Sequence, residues 1–435
     1  MFAKYVQWRL ERYVKKYFKK YHPVLIVVVG SVGKTTTKNA IAMALSKKYR
    51  IQLETGNLNT AISVPLAIMG VKYPPMELVR KVKTWRQVFK AMKERVKSPQ
   101  GVDVIIQELA TDRPGDLAVF KRYLKPDIAV VTAVAPEHME NFIGGLEQVA
   151  KEELSVASFS DLTIVNADDI DSRFADFVGT NNITDYGINN GEYQLKIIGG
   201  NPLAGYDVVF HGPEINDDSA TTKLHVMGEH MLRSTCAAVA VGLRLGVPIP
   251  ELMENLSAIR PVKGRMNPLS GLKGSTLIDD TYNSSPEAAV AALKTLYQIE
   301  APQRIAILGT MNELGNYTSQ GHQQVGSNCD PMKLDWVITI GQVAEQWLAP
   351  AARQAGCQVK SFPDPISAAT FCDKVLRTGG VVLIKGSQNE VFAEEATKRL
   401  LSNAFDSDQL VRQDDYWGKR KRAWLNSIDF KADGE

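Results

Sequence analysis

Cysteine is scarce: four residues (Cys236, Cys329, Cys357 and Cys372) are scattered through 435, with no Cys-x-x-Cys pair. That spacing suggests neither a zinc site nor a disulfide framework, and it suits a reducing cytoplasm. Net charge is small as well, an excess of +3, too little to argue for a nucleic-acid partner. Long apolar runs are missing. No stretch reaches the roughly eighteen residues of a membrane span, and Val24–Val29 is too short for a signal-peptide core. No internal repeat or low-complexity tract interrupts the chain. What is there is 44% hydrophobic and 23% charged, the composition of an ordinary globular protein. Its length exceeds what one core organises, so two or three domains are expected.

The strongest local signal is the point where apolar Val24–Val29 breaks into Gly30-Ser31-Val32-Gly33-Lys34-Thr35-Thr36-Thr37. It predicts a buried strand, a phosphate loop and a helix. Two glycines let backbone N–H groups turn inward around an anion, and the helix N-terminus adds its positive dipole. Lys34 reaches the outer phosphates and Thr35 offers a hydroxyl to Mg2+. Gly30, Ser31, Val32, Gly33, Lys34, Thr35 and Thr36 are therefore candidate nucleotide contacts. The long form of the pattern wants glycine at position 28; Val28 stands there, so the shorter G-x-x-G-K-T-T form is present.

In front of this loop, Met1–His22 carries seven cations against one anion, Glu11. Its apolar and aromatic residues fall at helical spacing, giving a basic face and an apolar-aromatic face. Two readings stay open: a membrane-surface helix, or a helix packed on its own domain. Behind the loop, Val71–Lys97 reads as a cationic helix with a solvated face. Val102–Leu109 reads as a buried strand ending in Glu108. Parallel strands line a ligand crevice with their carboxyl ends, which places Glu108 beside the loop. Ile128–Val134 leads similarly into Glu137 and His138, and Leu162–Val165 into Asn166-Ala167-Asp168-Asp169. Thr180–Lys223 reads as antiparallel edge strands. Ala258–Asn267 is the best boundary, and beyond it strands alternate with helices again. The expected organisation is α/β throughout: a short basic amphipathic helix (1–22), a phosphate-loop domain on a mostly parallel sheet (23–260), and a Rossmann-like domain (261–435).

Taken together these segments resemble the Mur ligase family, and within it the MurF type. The residues that carry the resemblance are Gly30–Thr37, Gly56-Asn57-Leu58-Asn59 with Val64-Pro65-Leu66, Glu108-Leu109, His138, Gly264-Arg265, Asp279–Asn283, Met311–Gly315 and Lys385-Gly386-Ser387. The resemblance implies an ATP-dependent, ADP-forming ligase of cell-wall peptide synthesis. Such an enzyme phosphorylates a peptide carboxylate and joins the acyl phosphate to an amine, here D-alanyl-D-alanine. It implies ATP and two Mg2+ ions. Lys34 would hold the β- and γ-phosphates, Thr35 with Glu108 one Mg2+, and Glu108 with His138 the second. Arg265 would meet the γ-phosphate and Asp280 the ribose. Asn57, Asn59, Asn283, Lys385 and Ser387 fall at substrate positions, with the turn at Lys385–Ser387 presenting backbone N–H groups to the amino substrate's carboxylate.

Departures from the family pattern matter. Glu153 stands where the family commonly carries a carbamylated lysine that binds the second metal; Lys151 is the competing candidate. The family's adenine-binding Asn is replaced, Met231 and Ser234 occupying the matching positions, with Asn166 a substitute contact. The phosphate loop begins too early for a separate N-terminal UDP-sugar domain, so a lipid-linked or non-UDP acceptor stays open. So do a folylpolyglutamate-synthase-like ligase and a non-catalytic, membrane-tethered nucleotide-binding partner. Peptide and amino-acid substrates without nucleic acid, and a cytoplasmic location with the basic helix as membrane contact, complete the expectation.

Overall fold

The structure, a computed structural model, describes residues 2–54, 58–98, 101–179, 182–215 and 219–428. The chain divides into two compact units: 1–199, 207–224 and 230–259 form the first, and 200–206, 225–229 and 260–435 the second.

In the first unit, strands β1 (Val24–Val29), β3 (Val104–Glu108), β4 (Ile128–Val131) and β5 (Leu162–Asn166) are buried along nearly their whole length. Runs of Val and Ile without polar alternation are what a parallel strand covered on both faces requires. With β2 (Ile51–Leu53), β6 (Ile183–Gly187), β7 (Tyr193–Asn201), β8 (Gly205–His211) and β9 (Thr221–Leu224) they make a nine-stranded sheet in the order β2-β3-β1-β4-β5-β6-β7-β8-β9. Register sets the site. Val28 stands opposite Glu108 on one side and Val130 on the other, so the carboxyl ends of β3 and β4 flank the loop that leaves β1. The segment from Thr180 was expected to be antiparallel, yet β6 pairs in parallel with β5. Its alternating pattern follows from one partly exposed face, not from strand direction.

Helix α1 (Phe2–Tyr21) buries Val6, Leu10, Val14 and Tyr17, the i, i+4, i+8 and i+11 positions of one stripe. After α2 (Lys34–Leu45) and α3 (Ser63–Ile68) comes α4 (Val82–Lys97). The expectation for Val71–Lys97 needs correcting twice. The helix starts only at Val82, after Pro74-Pro75 and a short 3-10 turn at Met76–Leu78. It is also more than a solvated face, because Trp85, Val88 and Met92 are buried in the same cluster as the α1 stripe. Tyr21 Oη donates to the Val96 carbonyl at 2.9 Å, and the Arg9 guanidinium lies 4.8 Å from the Phe89 ring centre. The apolar face of α1 thus packs on its own domain. Helices α5 (Asp116–Lys121), α6 (Gly145–Leu154) and α7 (Glu229–Arg244) complete the surroundings of the loop.

The second unit holds six strands, β10 (Asn267–Ser270), β11 (Thr276–Asp280), β12 (Arg304–Gly309), β13 (Trp336–Ile340), β14 (Val359–Phe362) and β15 (Val381–Lys385), ordered β10-β11-β15-β12-β13-β14. Pairing is parallel except for β10 with β11. Ile278, Ala306, Val337 and Leu383 enter one buried cluster, while their neighbours Leu277, Ile305, Ile338 and Val382 enter another. A sheet with an apolar cluster on each face is the three-layer Rossmann-like arrangement.

Leu10 is fully buried on α1, so Leu10→Ala should cost about 2–5 kcal/mol of stability. Lys15→Ala, on the exposed side, should stay within about 0.5 kcal/mol. Urea unfolding of the full chain checks both, and an unchanged midpoint for Leu10→Ala would contradict the docked helix.

Candidate active site

The loop after β1 has a shape that only glycine tolerates. Gly30 has φ +126° and Gly33 φ +92°, and a Cβ on Gly30 would lie 2.3 Å from Thr132 Oγ1. Thr132 Oγ1 donates to the Val32 carbonyl at 2.6 Å. Ser31 is spent on bracing: its N–H donates to the Ala133 carbonyl, and its Oγ accepts from Ala135 N–H at 3.0 Å. The next N–H groups belong to the first turn of α2, which has no intrahelical acceptors, and Gly33 supplies no side-chain cap. That is an anion cradle built from backbone.

Charge is packed densely around it. Lys34, with a side chain 18% exposed, folds back toward the Gly30 and Ser31 carbonyls and lies 4.0 Å from Glu137 Oε2. Burial alone would lower its pKa. Glu137, Glu153, Glu108 and Asp112 more than offset that and raise it. Thr35 Oγ1 donates to Glu108 Oε2 at 3.3 Å, and Lys38 Nζ pairs with Glu108 Oε1 at 2.8 Å in a bridge almost closed to solvent. His138, at φ +52°, has Nε2 3.4 Å from Asp112 Oδ1.

Glu153 is the most confined carboxylate of the group, 1% exposed. Oε1 accepts from Thr111 Oγ1 at 2.5 Å, and Oε2 has no hydrogen-bond partner among the described residues. Burial pushes its pKa up to about 7 against the opposing pull of Lys34. Its neighbours in sequence turn elsewhere. Glu152 accepts from Gly115 and Leu117 N–H groups at the start of α5, and Lys151 is exposed in a groove of about 410 Å³ with Lys121 and Phe159. Between Glu153 and Lys151, the structure brings only Glu153 to the loop.

Among the described residues, no three His, Cys, Asp or Glu side chains form a ready metal cage. The donors present nevertheless fit Mg2+ at a phosphate, which takes one or two protein oxygens and completes its shell with phosphate and water. Thr35 with Glu108 offers such a pair, and the unpartnered Glu153 oxygen is a buried acceptor that a cation would satisfy.

Other expected contacts are occupied within the fold. Asn166 Nδ2 donates to Thr132 O and Asp169 Oδ2, both at 2.7 Å, while its Oδ1 accepts from Asp168 N–H. The side chain ties the ends of β4 and β5 together. Ser234 Oγ accepts from Thr37 Oγ1 at 3.0 Å, and Thr36 Oγ1 lies 3.9 Å from Met231 Sδ, joining α7 to α2. The Asn59 carbonyl accepts from Ala110 N–H; Asn57 lies outside the described residues.

In the second unit, Asp280 and Lys385 form a buried pair at 2.7 Å, and Lys385 also donates to the Asn283 carbonyl at 3.0 Å. The Ser387 N–H is spent on Thr310 O at 3.2 Å, and its Oγ accepts from Asn312 N–H at 2.9 Å. A turn that offers this amide to a carboxylate, as the sequence suggested, would first have to release it. Arg265 stacks 4.1 Å from the Tyr282 ring centre, and its Nε has no hydrogen-bond partner among the described residues.

Lys38, Thr111, Asp112, Thr132 and Glu137 were missed from sequence. Only Lys38 carried a signal, standing one helical turn beyond Lys34 and so on the same face.

The sequence matches the Mur ligase middle domain over residues 28–242 and the Mur ligase glutamate ligase domain over residues 264–388. The UDP-N-acetylmuramoyl-tripeptide--D-alanyl-D-alanine ligase of Bacillus subtilis is 25% identical over 77% of this chain, which spans 66% of that protein's length. The Escherichia coli enzyme of the same name is also 25% identical, over 87% of this chain and 77% of its own. Among solved structures, the MurF ligase of Thermotoga maritima in complex with ADP aligns with a TM-score of 0.71 at 22% identity, covering 94% of this chain and 84% of that one.

The pKa of Glu153 fixes a sign. The folded state binds its proton more tightly than the unfolded state does, so its contribution is present below about pH 4.5 and is lost as pH rises toward 7, by at most about 3 kcal/mol. In nucleotide-free protein, Glu153→Gln should match the parent near pH 4.5 and exceed it at pH 8. Denaturant unfolding at both values measures this, and parallel pH profiles would contradict the buried placement.

Proposed function

Because the chain belongs to the Mur ligase family, we propose that it is an ATP-dependent, ADP-forming ligase that joins D-alanyl-D-alanine to the carboxylate of a UDP-N-acetylmuramoyl-tripeptide. The names of the Bacillus and Escherichia relatives support this substrate pair, and the ADP held by the Thermotoga protein supports the nucleotide. Such substrates place it in the cytoplasm. The observation that carries the reading is the packing of Lys34, Thr35, Glu108 and Glu153 around a backbone anion cradle.

The chemistry asks a carboxylate to approach a triphosphate, so repulsion between anions is the obstacle to overcome. The first-turn amides of α2 would hold the β-phosphate, and Lys34 would swing from the Gly30 and Ser31 carbonyls to the γ-phosphate. Thr35 and Glu108 would hold one Mg2+, and the Glu153 oxygen without a donor among the described residues would face a second. When bound, these ions supply positive charge between the phosphate and carboxylate oxygens. Lys38 Nζ, 2.8 Å from Glu108 Oε1, keeps that carboxylate oriented. In the second unit, Arg265 Nε is buried with no hydrogen-bond partner among the described residues, so it is free to take an anion. The γ-phosphoryl passes to the acceptor carboxylate as its bond to ADP breaks. The amine nitrogen then attacks the acyl carbon, phosphate leaves and the amine proton is lost.

Phosphate release with Mg2+, ATP, the UDP-linked tripeptide and D-alanyl-D-alanine tests the reaction. Lys34→Ala should lower turnover by about 10³-fold or more in protein that still folds, as circular dichroism would show; full turnover would refute the loop assignment. Glu153 carries its carboxyl group without any need for CO2, so depletion of bicarbonate should leave activity unchanged. Glu153→Ala should lose it, with partial recovery in added acetate. A carbamate mass on Lys151 would contradict this.

A further inference from the structure

Helices α1 and α4 bury their apolar stripes in one cluster, so their polar faces turn away from it on the same side of the first unit. From α1, Lys4, Arg12, Lys15, Lys16, Lys19 and Lys20 are exposed; from α4, Lys83, Arg86, Lys90, Lys93 and Lys97. Of the two carboxylates on these helices, Glu94 lies 3.6 Å from Lys97, and Glu11 is half-buried and held by Arg122 at 3.1 Å. Thirteen cations against two carboxylates give the pair +11, whereas the whole chain carries +3, so everything outside the two helices sums to −8. Solubility has no need of such a separation. It concentrates the positive field on one surface.

Aromatic residues lie at one end of that surface. Phe2 is 41%, Tyr5 48% and Trp8 47% exposed, and the Arg12 guanidinium sits 4.7 Å from the Trp8 ring centre. The exposed cations are mostly lysines, strongly hydrated point charges on long stems, rather than arginine forks set for one phosphate. Exposed aromatics that gather at one end, instead of alternating with cations along a groove, do not make the stacking platform of a nucleic-acid site. Interfacial aromatics beside a field of lysines match the charge and layering of an anionic bilayer surface. Among the described residues no helix is long and apolar enough to cross a membrane, so the contact is peripheral.

We propose that the α1–α4 face docks on anionic phospholipid, with Phe2, Tyr5 and Trp8 at the headgroup level and the lysines of both helices facing the lipid phosphates. This extends the membrane reading of residues 1–22 to a second helix, and it does not depend on the ligase chemistry.

Co-sedimentation of the full chain with phosphatidylcholine vesicles, with and without phosphatidylglycerol, tests it at low and high salt. Binding should require phosphatidylglycerol and weaken as salt rises. The triple variant Lys83→Ala, Lys90→Ala, Lys93→Ala should bind about a hundredfold more weakly, from roughly fivefold per neutralised cation. Trp8→Ala should weaken binding as well, and both variants should keep the parent melting point and phosphate release. Folded protein that fails to sediment at low salt, or an α4 triple variant that binds like the parent, would overturn the proposal. So would tighter binding to a DNA duplex than to the vesicles.

Discussion

An ammonium group held among four carboxylates, in a loop that excludes most water, is the constraint around which the first unit is arranged. Each charge alone would be expensive to bury. Together they balance: burial presses Lys34 toward its neutral form, and Glu137, Glu153, Glu108 and Asp112 hold its proton. The converse strain falls on Glu153, whose Oε2 is left without a donor. Parallel strand register makes this density possible, because it delivers Glu108 from β3 and Thr132 from beyond β4 to the same level as the loop. Under the proposed reading, a polyanion and a divalent cation bound together would each relieve what the other aggravates.

Helix α1 serves two environments through two faces. Its stripe from Val6 to Tyr17 completes the core over α4, so the fold itself depends on the segment. Its outer face is left strongly basic. The two sequence readings competed for the same apolar stripe, and the packing gives that stripe to the core, leaving the basic face outward.

The sequence made the phosphate loop legible because its determinants are local: two glycines, a lysine and a threonine within a few residues of an apolar strand. Glu108 was legible through strand position. Glu153 was legible only through the family resemblance, since a Lys-Glu-Glu run on a helix does not itself say which member turns inward; the geometry separates Glu153 from the exposed Lys151. Partnerships between distant segments escaped altogether, among them Lys38 with Glu108 and Asp112 with His138. Asn166, a side chain suited to reading a base, donates instead to Thr132 and Asp169 in this structure. In α4, abundant Lys and Arg masked the Trp85, Val88 and Met92 stripe, although its spacing was already helical. The Rossmann-like second unit was readable because its strands recur as apolar runs between helices.

The central claim is that this cluster transfers phosphate to a carboxylate, and an oxygen-isotope experiment addresses it most directly. Acceptor tripeptide carrying 18O in its terminal carboxylate is converted with ATP and D-alanyl-D-alanine, and the inorganic phosphate is analysed by mass. The account predicts one labelled oxygen in the released phosphate, in step with amide formed, because the carboxylate oxygen stays on phosphorus when the amine attacks the acyl carbon. Amide formation with unlabelled phosphate would contradict it.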